Sequence, residues 1–259
     1  MTAFLEMRDL VAGYGRMVVL KGLNITMTPG EAVALIGHNG TGKSTILKAL
    51  SGQIKPMSGE ILFDGFDVAA MSPSELVRRG LVQVPAGRRV FPRMSVLENL
   101  EAGAFTRSDG AGVKRDLDRL MTRFPKLAEK RRQMAGVLSG GEQQLLAIAR
   151  GLMAGPKLLM IDEPSLGLSP LMVDQIFGAV GELVQEGMSL ILAEQNVYKA
   201  LSVTHRAFVL AQGKVVSTGT SAELLQDPEI RQSYLGLGNA KAFGALVDAA
   251  LAEEAAASA

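Results

Sequence analysis

The segment Gly37-His38-Asn39-Gly40-Thr41-Gly42-Lys43-Ser44 follows the apolar run Ala32–Ile36 and opens the amphipathic run Lys43–Leu50. A buried strand, a glycine-rich turn and a helix in that order demand an α/β sheet, with the turn at the strand's C-terminal end. The glycines let backbone N–H groups point inward, and the helix start adds the positive end of its dipole. The spacing G-x-x-x-x-G-K-[ST] therefore suits a polyphosphate. The N–H groups from Gly37 to Thr45 cradle it, Lys43 reaches the β- and γ-phosphates, and the Ser44 hydroxyl ligates Mg²⁺. His38 lies inside the turn, but the turn works through its backbone, so that ring is expected to point away. A chance match on a glycine-rich turn is the competing explanation, and the strand before and helix after argue against it.

The rest of the chain fits the same architecture. Leu81–Val84, Leu158–Ile161, Leu190–Ala193 and Ala207–Leu210 read as buried strands of a mostly parallel sheet. Met7–Val11, Asn24–Met27, Glu60–Phe63 and Lys214–Ser217 are more polar and read as an antiparallel β edge. Ser72–Glu75, Ser95–Glu98, Ser139–Glu142 and Thr220–Glu223 have capping-box spacing, marking four helix starts. Between residues 86 and 155 no buried-strand run occurs, which predicts a helical lobe inserted into the α/β core. Residues 237–259 form an alanine-rich extension, where Phe243, Leu246, Val247, Ala250 and Leu251 keep helical spacing. A packed helix and a frayed tail are both open there.

Composition closes off other chemistries. With no cysteine there are no disulfides, zinc–thiolate sites or thiol nucleophiles, and two distant histidines, His38 and His205, do not suggest a metal site or triad. A net charge of +1 offers no field for nucleic acid. No apolar run approaches the roughly 18 residues of a membrane span, and Glu6 and Asp9 break any signal-like start. The chain is expected in the cytoplasm, held at a membrane only by another protein.

The run Leu158-Leu-Met-Ile-Asp162-Glu163 ends an apolar strand in two carboxylates. Alone, such a pair is more often a solvated turn. Beside a phosphate cradle in the same sheet, Asp162 suits the Mg²⁺ environment and Glu163 can orient or deprotonate water. Leu138-Ser139-Gly140-Gly141-Glu142-Gln143-Gln144 places a hydroxyl and bare N–H groups at another helix start, an anion site without a lysine.

With that segment the chain resembles the ATPase subunits of ABC transporters from about Leu5 to Gly236, a single ABC ATPase domain over residues 1–236. The resemblance implies that Ser139, Gly140, Gly141 and Glu142 bind the γ-phosphate of ATP held by a second, head-to-tail ATPase subunit, either a sister chain or an identical copy. It implies stacking of Tyr14 on adenine, a crossing segment at Ser165–Ser169, and a switch position at Gln195. The wording of residues 162–170, Val84–Phe91, Ala193–Asn196, and Glu223–Pro228 through Tyr234-Leu-Gly236 resembles importers of branched-chain amino acids, whose relatives carry urea and amides. Transmembrane permease subunits and, indirectly, a solute-binding protein are the implied partners, at the inner face of the membrane. Small P-loop kinases and soluble ABC proteins of repair or translation fit less well. The former have no use for the signature segment, and the latter need insertions or pairing for which 259 residues leave no room.

Two positions depart from the family pattern. Gln195 stands where many relatives have histidine; its amide hydrogen-bonds but cannot carry a proton charge near neutrality. Ala86 falls where glutamine or glutamate is usual and has no oxygen to offer water or Mg²⁺, while Gln83, three residues earlier, is expected to be buried or aimed elsewhere. A nucleotide-gated binding module with weak hydrolysis is therefore the alternative to a full ATPase. Arg88, Arg89, Arg93 and Lys130-Arg131-Arg132 read either as a solvated face or as contacts to a permease loop or anionic headgroups. Phe91 and Met94 are the candidate contacts in the groove after Ala86. His205, ahead of the Ala207–Leu210 strand, is expected at a strand edge, away from the phosphates.

Overall fold

Alternating apolar faces decide how the strands stack. In β3 (Ala32–Ile36), β7 (Leu158–Asp162) and β8 (Ser189–Glu194) every residue is buried, the mark of strands covered on both sides. With β6 (Leu81–Val84), β9 (Arg206–Ala211) and β10 (Lys214–Thr220) they form a six-stranded sheet in the order β10-β9-β3-β8-β7-β6. All pairings are parallel except β9 with β10. The computed structural model describes residues 4–228 and 230. The Tyr234–Gly236 ending and the 237–259 extension lie outside those residues.

The polar strands do not line an edge of this sheet, with the exception of β10. β1 (Leu5–Tyr14), β2 (Met17–Met27), β4 (Ser58–Phe63) and β5 (Phe66–Asp67) make a second, four-stranded antiparallel sheet ordered β2-β1-β4-β5. Its alternating burial explains the difference, since Leu5, Met7, Leu20, Leu23, Ile25 and Ile61 face inward with polar neighbours outward. That inner face packs with α1 (Lys43–Leu50) and with Val33, Leu35, Met160 and Ile191 from one side of the parallel sheet. The opposite face of the same strands, Ala34, Ile36, Ile161 and Leu192, packs against helices.

Those helices are α3 (Val96–Gly103), α4 (Gly110–Arg123), α5 (Pro125–Glu129), α6 (Gly140–Met153), α7 (Pro170–Gln185), α8 (Val197–Leu201) and α9 (Ser221–Gln226); α2 spans Pro73–Arg78. From α3 to α6 the described chain holds helices and no named strand. All four capping boxes are present, with the Glu carboxylate accepting from the cap N–H at 2.8 Å for Ser72, 2.6 Å for Ser95, 2.9 Å for Ser139 and 2.8 Å for Thr220. Each satisfies donors that a helix start leaves bare.

One ion pair ties the two sheets together. Glu31, between β2 and β3, accepts from Arg206 Nε at 2.8 Å and from the Thr28 N–H at 2.9 Å, while Arg206 Nη2 donates to the Thr26 carbonyl at 2.6 Å. Burial pushes the Glu31 carboxyl upward, but the Arg206 and Thr28 hydrogen bonds outweigh it and hold it below the usual range. A carboxyl depressed on folding stabilises above its unfolded pKa of about 4.3 and loses that contribution as pH falls through the folded value. Glu31→Gln is therefore expected to lower stability at neutral pH, with the gap to the parent closing below about pH 4. Urea unfolding across that range checks it; a gap independent of pH would exclude the charge as the cause.

Candidate functional site

Parallel register brings the chemistry to one edge. Ile36 pairs with Glu194 and Asp162 with Ala193, so the turn after β3 and the carboxylates ending β7 leave the sheet together. The turn from Gly37 to Gly42 runs into α1 with Gly42 at φ 111°, a left-handed conformation that a side chain resists. A Cβ at Gly42 would meet Leu20 Cδ2 at 2.7 Å, and one at Gly37 would meet the Leu210 carbonyl oxygen at 2.5 Å. His38, Asn39 and Gly40 are exposed, Thr41 Oγ1 donates to the His38 carbonyl at 2.9 Å, and Thr45 is buried in the first turn of α1.

Lys43 is buried, donating to the carbonyls of Gly37 at 2.7 Å and His38 at 3.1 Å, with its Nζ 3.8 Å from Glu163 Oε1. Burial lowers its pKa, against the pull of Glu163, Glu194 and Asp162. Ser44 Oγ donates to Asp162 Oδ1 at 3.0 Å. Burial drives Asp162 upward, the Ser44 hydrogen bond opposes this, and the Glu163 charge adds to it. A carboxylate held at such cost invites a cation. Ser44 and Asp162 are hard oxygen donors that fit Mg²⁺ when phosphate and water complete its shell. Among the described residues no group of three His, Cys, Asp or Glu could hold a metal, so the nucleotide's own oxygens would have to help.

Glu163 has φ 44°, left-handed without being glycine. Its N–H donates to the Ala193 carbonyl at 2.8 Å, which fixes the carboxylate beside Lys43. Tyr14, at the tip of β1, is 41% exposed, with Lys48 Nζ 3.3 Å from its hydroxyl and 5.3 Å from its ring centre. Gln195 is exposed at the end of β8.

The other capped helix start singled out in the sequence lies elsewhere. Ser139 caps α6 at Gly140. Glu142 turns its carboxylate back onto the Ser139 N–H and takes Lys130 Nζ at 2.5 Å. Burial raises its pKa, but the Lys130 and Ser139 hydrogen bonds prevail and hold it low. Lys130 thus braces the helix start, while Arg131 and Arg132 are exposed. A Cβ at Gly140 would lie 2.9 Å from the Arg88 guanidinium, and one at Gly141 would meet Met172 Cε at 2.0 Å. Arg88 Nη2 donates to the Gly167 carbonyl at 3.3 Å. The α6 start and the 165–169 segment therefore lie side by side.

Ala86 is half-buried at the head of three left-handed residues, Gly87, Arg88 and Arg89. Gln83 accepts from Gln53 Nε2 at 2.7 Å and so is aimed at the end of α1, not at Ala86. His205 Nδ1 accepts from the Ala32 N–H at 2.9 Å, a strand-edge role. Three residues were missed by the sequence reading. Asn99 is fully buried and clamps the Phe91 backbone, accepting at 2.8 Å and donating at 3.0 Å. Arg150 donates to the Arg89 carbonyl at 2.6 Å and stacks on the Phe91 ring. Glu194 is buried beside Gln195. An acid closing so apolar a strand was signal enough, since a buried charge must find partners.

Residues 20–166 match the family model described as ABC transporter. The chain belongs to the ABC transporter family. It is an ATP-hydrolysing cassette of that family. It is 44% identical over 223 residues to the high-affinity branched-chain amino acid transport ATP-binding protein BraG of Pseudomonas aeruginosa, covering 86% of this chain and 95% of BraG. It is 33% identical over 236 residues to the lipopolysaccharide export system ATP-binding protein LptB of Escherichia coli K12, covering 90% of this chain and 98% of LptB. A solved ADP conformation of an ABC-transporter ATP-binding cassette superposes with TM-score 0.77 at 27% identity, covering 91% of this chain and all of that one. No described helix of this ABC cassette is long and apolar enough to cross a membrane.

Lys43→Ala is expected to weaken ATP binding on the order of 100-fold, the scale of losing charge-assisted hydrogen bonds to phosphate. Fluorescent-nucleotide titration of the folded variant checks it; parental affinity would move the phosphate away from this turn.

Proposed function

We propose that this ABC cassette energises import of branched-chain amino acids, or of related amides or urea. The carrying observation for the chemistry is two contacts at one sheet edge, Ser44 to Asp162 at 3.0 Å and Lys43 to Glu163 at 3.8 Å. Similarity to BraG over most of both chains supports the solute class. The backbone from Gly37 to Thr45 binds the ATP phosphates, Lys43 leaves its own loop carbonyls for phosphate oxygens, and Tyr14 stacks on the adenine. Ser44 and Asp162 would hold Mg²⁺, which would supply positive charge against that developing on the phosphates. Glu163 orients the attacking water and draws its proton, since Gln195 cannot hold one near neutral pH.

The reaction needs a second cassette, an identical copy or a sister chain. The Ser139 helix start lies near the 165–169 segment, linked to it through Arg88, and that segment carries Leu166, 58% accessible. A positive helix end beside an exposed loop suits ATP held on a facing subunit. Phe91, 48% exposed and fixed by Asn99 and Arg150, is the contact offered to a permease, which would hold the cassette at the membrane's inner face, with a solute-binding protein beyond it.

Glu163→Gln is expected to cut ATP turnover on the order of 100-fold or more while ATP still binds, leaving an ATP-locked dimer. Phosphate release and gel filtration check it; parental turnover would remove Glu163 from the chemistry. Ala86 favours a second reading, a nucleotide-gated module with weak hydrolysis. Ala86→Gln is expected to raise turnover, or its stimulation by permease, several-fold. Unchanged kinetics in both settings would make Ala86 inconsequential. Reconstituted uptake of leucine, urea or a lipid-linked saccharide separates the importer reading from an export role like that named for LptB.

A further inference from the structure

Glu194 is 1% exposed, and the mechanism above makes no use of it. Its Oε1 accepts from Ser165 Oγ at 2.9 Å, the Gln195 N–H at 2.7 Å and the Asn196 N–H at 3.0 Å, and its Oε2 accepts from the Ser165 N–H at 3.3 Å. All four partners donate. A carboxylate meets them with both oxygens, whereas a glutamine would turn its NH₂ group on a donor. The contacts join two loops remote in sequence, the turn after Glu163 and the end of β8.

The neighbouring backbone is bound the same way. The Glu163 N–H donates to the Ala193 carbonyl at 2.8 Å, the Leu166 N–H to the Glu163 carbonyl at 3.2 Å, and the Leu168 N–H to the Ser165 carbonyl at 3.2 Å. Asn196 in turn caps α8, accepting from the Lys199 N–H at 3.1 Å. The segment bearing exposed Leu166, beside the α6 start, is thereby linked to exposed Gln195 through one buried carboxylate.

We infer that Glu194 is a positioning residue: it locks the Ser165–Ser169 segment to Gln195, so that docking of a second cassette on the first sets the switch residue beside the nucleotide. This rests on the proposed two-cassette reading. Displacing Leu166 or Gly167 would pull Ser165 against Glu194, and the same carboxylate holds the N–H groups of Gln195 and Asn196. No new group touches ATP. The carboxylate acts only through the loops that it holds.

The test uses the full chain, with its sister chain if turnover requires one. Glu194→Gln, Ser165→Ala and the double variant are compared for kcat and KM for ATP. Each single change is expected to lower kcat about tenfold, the scale of a hydrogen bond to a charged group, with KM within about twofold. The double variant should fall no further than the deeper single one, because both cut the same link. Parental kcat in both singles, multiplying effects in the double variant, or a raised KM with kcat intact would each overturn the inference. Should Glu194→Gln not fold, Ser165→Ala decides alone: lowered kcat at unchanged KM supports the lock, and parental kcat removes it. Glu163→Gln run in parallel separates the two claims. If Glu163→Gln keeps full turnover, the catalytic reading itself fails. If it is inactive while the Glu194 and Ser165 variants keep parental kcat, only the lock fails.

Discussion

Strands buried on both faces can be satisfied only by neighbours of their own kind, and here β3, β8 and β7 satisfy one another in parallel. Everything chemical follows from that register. Parallel strands end at a common edge, so the turn after Ile36, the acids Asp162 and Glu163, and Glu194 with Gln195 arrive together although far apart in sequence. Lys43 opens the helix that follows β3 and Glu163 directly follows β7, and their side chains meet at 3.8 Å.

The site uses burial to hold charges that water would otherwise screen. Lys43 is pushed toward losing its proton and Asp162 toward gaining one, and each is restrained by the other's neighbourhood. Opposed shifts of this kind are common at functional sites, where a bound ion of opposite charge would relieve each. The other helix start is built on another principle, a capped α6 start with Glu142 and Lys130 absorbed into its frame. One end carries a buried lysine, whereas the other is a capped helix start with the Arg88 guanidinium close by.

Local rules carried far along the chain. The phosphate turn, the five buried strands and the four capping boxes were readable because each rests on residues adjacent in sequence. The polar strands were read as an edge, whereas most form their own sheet over α1, since alternation reveals an exposed face but not which layer the other face meets. Lys130 looked like surface charge until its partner Glu142, twelve residues on, folded beside it. Gln83 was rightly set aside from Ala86, but its partner Gln53 belongs to a different layer and left no trace in sequence.

The sequence by itself determined that a glycine-rich turn of polyphosphate-binding spacing lies at Gly37–Ser44, that two acids close a neighbouring strand, and that Ser139 begins a helix. Those are properties of short peptides: glycine spacing, apolar runs and caps. Only the tertiary structure decided that Ser44 meets Asp162, that Glu163 takes a left-handed backbone beside Lys43, and that Glu194 binds two loops into one unit. Those contacts span 29 to 120 positions, and what fixes them is sheet register and the need of buried charges for partners, neither of which a local window of sequence contains.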